Sequence, residues 1–387
     1  MNVADKGFQA AFDHETQSLG TFTLVVLGRT GVGKSTLVNA VFGETLAETG
    51  IGRPVTRTSH LYRREGVGLQ VVDTKGLEIG DDTETVVAEL KALVAHSRTR
   101  PEAERIHVAW FCVQAGDLRI QDGERTVMQT LRDLGVPVLL VMTKVPQRDG
   151  RNSPDSVAFH QAILEMDLPV VGGRAWPVMA QGDDFAGWPA HGLAELVEQS
   201  RRVAPEGVQA ALVAAQRVDG AAKAREAKKV VASAAAAAGA AAATPIPFAD
   251  AALLVPIQLR MMSRIALLHN VPMDRATLLA LGSVAATTGA GRSLASGLVK
   301  LIPGAGSITG GVIGAGVASS VTAAMGAAWI TVCSRYGSDT VVGTVAFDPS
   351  VLKDAFTTEL GRRLPGVGKG AGDTAKGSKG TKEQRAP

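Results

Sequence analysis

Apolar residues in the first two hundred positions alternate between two patterns. Short runs with few polar interruptions lie at 22–27, 69–72, 106–113, 136–143 and 175–179, and suit strands buried on both faces of a parallel sheet. A further strand-like stretch lies at 60–64. Between them, helical spacing predicts helices over 34–43, 83–97, 122–134, 153–167 and 191–203, with Ser153-Pro154 opening the fourth. Strands alternating with helices in this way imply an α/β fold. Its sheet is doubly wound and mainly parallel, and its ligand is carried at the carboxyl ends of the strands.

After about Pro205 the pattern changes, and Ala, Gly, Ser and Thr crowd the chain. The stretch 206–229 reads as one alanine-rich helix with a solvated face that carries Lys223, Arg225, Glu226, Lys228 and Lys229. Residues 230–249 carry no charge but are mostly alanine and are broken by Pro245 and Pro247. A more apolar helix follows at 250–269, bent near Pro256. Residues 301–334 are again uncharged, with Gly306, Gly310 and Gly314 on one helix face, where a second helix can approach closely. Ile246-Pro247-Phe248-Ala249 and Ile302-Pro303-Gly304-Ala305 echo one another and suggest two related helical hairpins. The organisation expected is an N-terminal extension (1–20), the α/β domain (21–205) and an all-α Gly/Ala-rich domain (206–345). A C-terminal helix (346–362) and a disordered basic tail (363–387) complete it.

Two readings of the helical domain stay open. The uncharged 301–334 run is long enough to span a hydrocarbon core, which would make 230–335 a contact with a membrane or membrane protein. Yet alanine and glycine gain little from lipid, and a soluble helical bundle uses the same small residues. The net charge of +3 over 387 residues is too small to argue for nucleic acid. Cys112 and Cys333 lie far apart in apolar runs and read as buried free thiols of a reducing compartment. The seven histidines are scattered, with no zinc-type spacing. Residues 1–20 are polar, so the α/β domain is expected in the cytoplasm, associated with the inner membrane or inserted in it if the helical domain meets lipid.

The chemistry is concentrated where the 22–27 run meets the 34–43 helix. Gly28-Arg29-Thr30-Gly31-Val32-Gly33-Lys34-Ser35 is a Gly-x-x-x-x-Gly-Lys-Ser loop between a strand and a helix, the context that the phosphate-binding pattern requires. Glycines let the backbone wrap phosphate oxygens at dihedrals that a Cβ would obstruct, and helix-start amides, including that of Thr36, face the anion. Lys34 would reach the β- and γ-phosphates, and Ser35 would offer its hydroxyl to Mg²⁺. Thr56, with Thr58 as second choice, would complete the metal shell and sense the γ-phosphate. Asp73-Thr74-Lys75-Gly76 follows the 69–72 strand, placing the Asp73 carboxylate near the metal and the Gly76 amide near the γ-phosphate. Leu77 cannot orient water, so hydrolysis is expected to be slow until a partner or self-association through this domain supplies the missing group. Arg29 and Lys75 each read as an arginine-finger-type cation or, more simply, as a solvated loop charge.

Gly28–Ser35, Thr56, Asp73–Gly76 and Thr143-Lys144, in this order and spacing, resemble the Era/TrmE-like branch of the translation-factor GTPases over about residues 20–205. The resemblance implies a P-loop fold that binds GTP or GDP with Mg²⁺. It also implies a base pocket in which Lys144 packs along the guanine and Ala180 offers a backbone amide. Where that family has an aspartate for the base edge, this chain has Pro146, so a loop carboxylate such as Asp149 would have to substitute. Residues 244–250 and 301–316 resemble the helical domain of unknown function that is often fused to such bacterial GTPases. The expectation is a GTP-hydrolysing switch. The alternatives are a structural protein that binds nucleotide without useful turnover and an NTPase of relaxed base preference.

Overall fold

The computed structural model describes residues 3–43, 53–54, 60–64, 68–73, 83–242, 250–271 and 315–339, together with 358 and 362. Strand β1 (Phe22–Leu27) is central to the sheet. In chain order there follow α2 (Lys34–Phe42), β2 (Arg53–Pro54), β3 (His60–Arg64), β4 (Leu69–Asp73), α3 (Thr83–Arg98) and β5 (Val108–Gln114). Helix α4 (Asp122–Asp133), β6 (Val138–Thr143), a β7–β8 hairpin (Gln147–Arg148 and Arg151–Asn152), α5 (Pro154–Glu165), β9 (Ala175–Pro177) and α6 (Leu193–Val203) come next. The strand order is β2-β3-β4-β1-β5-β6-β9. The five strands from β4 to β9 run parallel, and β3 and β2 extend the edge antiparallel. Sequence periodicity predicted this doubly wound sheet and placed its strands and helices to within a few residues.

The apolar runs are unbroken because both faces of the sheet are covered. Leu24, Val26, Trp110 and Val141 face α2 and α6. Val25, Leu27, Phe111 and Met142 face α3, α4 and α5. Phe42 at the end of α2 stacks on Trp110 of β5, with ring centroids 5.9 Å apart, and Trp110 Nε1 donates to Ser200 Oγ of α6 at 2.8 Å.

The predicted single helix over 206–229 is two helices, α7 (Glu206–Ala215) and α8 (Gly220–Ala242). Alanine-rich sequence favours continuing the helix. The buried Gln216 side chain overrides it by accepting from Val218 N (2.8 Å) and Asp219 N (2.7 Å), which turns the chain. Helix α7 packs on the sheet, with Val208, Ala211 and Leu212 in the same cluster as Phe22 and Val41. The change of composition near Pro205 is therefore not a change of packing.

Helices α8, α9 (Asp250–Leu268) and α10 (Ala315–Asp339) form a second core with α1 (Val3–Ser18) against it. Small residues set the spacing here. Gly326 of α10 has no room for a side chain, since a Cβ would come 2.5 Å from Val231 of α8 and 2.9 Å from Met261 of α9. Pro256 lies inside α9, and Trp329 Nε1 donates to Met262 O at 2.9 Å. The N-terminal extension is tied in by Glu15, whose carboxylate meets Arg260 at 3.0 Å and Arg264 at 3.7 Å. Among the described residues, no helix is long and apolar enough to cross a membrane. The Gly306, Gly310 and Gly314 ladder, the 346–362 helix apart from positions 358 and 362, and the tail lie outside the described residues. Cys112 and Cys333 are buried free thiols, as expected.

Candidate functional site

The carboxyl ends of β1, β4, β5 and β6 converge on the loop between β1 and α2. Gly28 leaves β1 at φ +132°, and a Cβ there would sit on the Cys112 carbonyl oxygen of β5. Only glycine allows that approach. Gly31 (φ +81°) has nothing within 4 Å of where a Cβ would be, so this part of the loop faces open space. Gly33 (φ +100°) caps α2 at its start, leaving the first-turn amides of Lys34, Ser35 and Thr36 directed out of the helix end. Val32 is buried and anchors the loop in the core, while Thr30 and Thr36 are exposed and Ser35 is half-buried.

Two ammonium groups hold the loop from within. Lys34 Nζ donates to Gly28 O (2.7 Å) and Arg29 O (3.0 Å). Lys144 Nζ, from the end of β6, donates to Gly31 O (2.7 Å) and to Gln114 Oε1 of β5 (3.0 Å). The neighbouring Thr143 hydroxyl, buried, lies 2.6 Å from Val32 O and 3.1 Å from Val113 O, bridging the loop to the sheet. Thus Thr143 and Lys144, 111 and 113 residues from the loop carbonyls they reach, are brought onto it by strand order. Asp73 pairs in register with Val26, two residues before Gly28, so its backbone stands at the level of the phosphate loop. Thr56, Thr58, Lys75, Gly76 and Leu77 lie outside the described residues.

Arg29 is committed elsewhere. Its guanidinium pairs with Asp117, just beyond β5, and its Nε lies 3.4 Å from Glu124 Oε1 in the first turn of α4. A finger role for Arg29 would require this pair to break. Burial pushes the Glu124 carboxyl up, opposed by the hydrogen bond from Gln121 N (2.9 Å) and by the Arg29 charge. Neither acidic partner was foreseen, because their spacing from Arg29 follows no local motif.

Residues 23–144 match the family model described as 50S ribosome-binding GTPase. That segment is a P-loop GTPase domain. The chain is 33% identical over 207 residues to the tRNA modification GTPase MnmE of Acidiphilium cryptum, covering 51% of this chain and 45% of that protein. It is 29% identical over 124 residues to GTPase Era of Alkaliphilus metalliredigens, covering 32% and 39% respectively. The chain thus spans less than half the length of these relatives. A distant likeness, at TM-score 0.32 and 17% identity, links 56% of this chain to the whole solved chain of Toc33 from Arabidopsis thaliana in complex with GDP and Mg²⁺.

On the P-loop domain, the loops after β6 and β9 are pinned together. Val145 N donates to Val178 O (3.1 Å), Met179 N to His191 O (3.0 Å), and His191 Nε2 lies 3.0 Å from Val145 O. This ties Val145, which follows Thr143-Lys144, to Val178, two residues before half-buried Ala180. Pro146 presents no side-chain acceptor, and its carbonyl accepts from Ser153 N at 2.9 Å. Asp149 and Gly150, at φ +50° and +73°, form the exposed two-residue turn of the β7–β8 hairpin. An Asp-Gly pair is what such a turn demands, so backbone geometry accounts for Asp149 without any ligand.

Proposed function

We propose that this protein binds GTP with Mg²⁺ on the Gly28–Ser35 loop and hydrolyses it slowly to GDP and phosphate, as a nucleotide-dependent switch. The observation that carries this reading is the loop itself. Three glycines at positive φ stand between a buried parallel strand and a helix start, with Lys34 and Lys144 both drawn onto its carbonyls. The triphosphate would displace Lys34 Nζ from Gly28 O and Arg29 O onto its β- and γ-oxygens, where one ammonium offsets developing charge. The hydroxyl and carboxylate oxygens of Ser35, Thr56 and Asp73 suit a hard cation such as Mg²⁺, which supplies further charge neutralisation at the phosphates. The Gly76 amide would donate to the γ-phosphate. Leu77 gives no purchase on the attacking water, so turnover would rise with a partner or with self-association of the domain.

Single-turnover hydrolysis of GTP by wild type and Lys34→Ala, each dilute and concentrated, tests the reading. We expect turnover that climbs with protein concentration and vanishes in the variant. Turnover that survives in Lys34→Ala refutes the site. A rate equal at all concentrations refutes the self-association.

Pro146 and the turn role of Asp149 favour a second reading, an NTPase that grips phosphates more firmly than the base. Competition of GTP, ATP and XTP for one site decides it. Contact with a membrane surface would fall to 230–335, and sedimentation of detergent-free lysate with each nucleotide tests that. Complete recovery in the supernatant removes it.

A further inference from the structure

Helix α2, which opens on the phosphate loop, ends against the four residues 216–219 that join α7 to α8. Arg217 N donates to Val41 O in the last turn of α2 at 2.8 Å. The Arg217 guanidinium lies over Gly43, where a Cβ would come 2.5 Å from Cζ. A cation in that place also faces the negative end of the helix. The joint is firm on its other side. Gln216 is wholly buried, and its Nε2 donates to Asp219 O at 2.8 Å while its Oε1 accepts two connector amides. Asp219 Oδ1 accepts from Ala222 N (2.8 Å) and so caps α8, and Lys223 Nζ donates to Ala214 O (3.1 Å), fastening the first turn of α8 to the end of α7.

We propose that Arg217 is a positioning residue for the phosphate-loop helix, and that through it nucleotide occupancy at 28–36 is coupled to the packing of α8. The proposal rests on the nucleotide reading above. A nine-residue helix is a hydrogen-bonded rod of about 13 Å. Its first turn carries Lys34 and Ser35, and its last turn carries the Val41 carbonyl held by the Arg217 main-chain amide, with the guanidinium over Gly43 just beyond. A shift of the first turn on phosphate binding is passed along such a rod rather than absorbed in it, and it reaches the connector. Coupling of this kind is reciprocal, so if nucleotide favours the packed connector, loosening the connector weakens nucleotide binding by the same factor.

Hydrogen exchange on the full chain, with and without a non-hydrolysable GTP analogue and Mg²⁺, provides the test. In wild type, nucleotide should slow exchange at 28–36 and also change it at 216–242. Arg217→Ala, which keeps the main-chain bond to Val41 O but removes the guanidinium from the end of α2, should keep the first effect, reduce the second, and bind up to about tenfold more weakly, with hydrolysis affected in KM more than in kcat. Arg217→Lys, which keeps the charge and stem, should recover part of both. If Arg217→Ala does not fold, Arg217→Met keeps most of the apolar stem, removes the charge from the end of α2 and gives the same readouts. Wild-type affinity and an intact α8 response in the variants overturn the proposal. So does a wild type whose loop is protected while 216–242 stays unchanged. A wild type whose loop shows no protection sinks the nucleotide reading itself, which is a different result.

Discussion

Thr143→Val isolates what one buried hydroxyl does for the phosphate loop. Valine has nearly the volume of threonine, so no cavity opens in the 3% exposed site; the donor is lost, and Val32 O must draw back from the methyl that takes its place. Val32 O and Val113 O, at 2.6 and 3.1 Å, then lose the one donor they share. Leaving a buried acceptor unsatisfied costs about 1–3 kcal/mol. For a unit of this size each kcal/mol moves Tm by about 2–4 °C, so a fall of roughly 2–12 °C is expected. The Val32 carbonyl immediately precedes Gly33 and Lys34, so part of that loss should appear as a nucleotide Kd weakened about tenfold. Thr143→Ser restores the donor and should recover most of both. Thermal melting and titration with a fluorescent GTP analogue read the two effects. A valine variant that melts within about one degree of wild type with unchanged affinity would refute the idea that this bridge shapes the loop.

Gly28→Ala should abolish nucleotide binding and destabilise by at least about 2 kcal/mol, because a Cβ meets the Cys112 carbonyl at a strained positive φ; calorimetry that finds wild-type binding contradicts it. Gly326→Ala should cost about 1–3 kcal/mol by forcing Val231 and Met261 apart. Hydrogen exchange should rise in α8–α10 but not in β1, and a uniform rise would count against the separate core. His269 is held to about 4 by burial and then by the Lys223 charge, so folding excludes a proton that the unfolded chain binds below 6.5. Stability from this source is complete above pH 6.5 and is lost as pH falls towards 4, by about 3 kcal/mol in all. Urea midpoints of His269→Leu should therefore flatten across that window, and a slope identical to wild type removes the claim. A fragment ending at 205 should be far less stable than one ending at 219, since it strips Val208 and Leu212, each worth about 1.5–3 kcal/mol, from the sheet core. Equal melting of the two fragments would show that α7 is dispensable.

Sequence made the sheet legible because strands buried on both faces leave unbroken apolar runs, and nothing local competes with that signal. The phosphate loop was legible for a related reason: its glycines answer to backbone dihedrals set within a few residues. What escaped depends on partners far along the chain. Helix α1 looked like a polar extension because its anchor, Glu15 to Arg260 and Arg264, spans some 245 residues. The Arg29–Asp117–Glu124 cluster has no fixed spacing to betray it. The break at 216–219 was hidden by helix propensity, which a buried glutamine defeats. One miss was avoidable: Asp149-Gly150 between short polar flanks is a hairpin signal in its own right.

Composition and packing divide this chain differently, and the difference bears on how a switch can work. By composition, everything after Pro205 belongs to the alanine-rich half, yet α7 completes the nucleotide sheet. By position, α1 belongs with the sheet, yet it packs on α9. Each core thus holds a piece of the other's sequence, and the chain passes between them at 19–21 and at 216–219. Phe22 N, at the first crossing, donates to Gly68 O at the foot of β4, and Arg217 N, at the second, donates to Val41 O of α2. Both crossings therefore land on elements that frame the phosphate loop, β1 at one end and α2 at the other. A helical unit fastened to both sides of a nucleotide site cannot repack without straining one of them, which is the physical requirement for occupancy of that site to be felt at a distance.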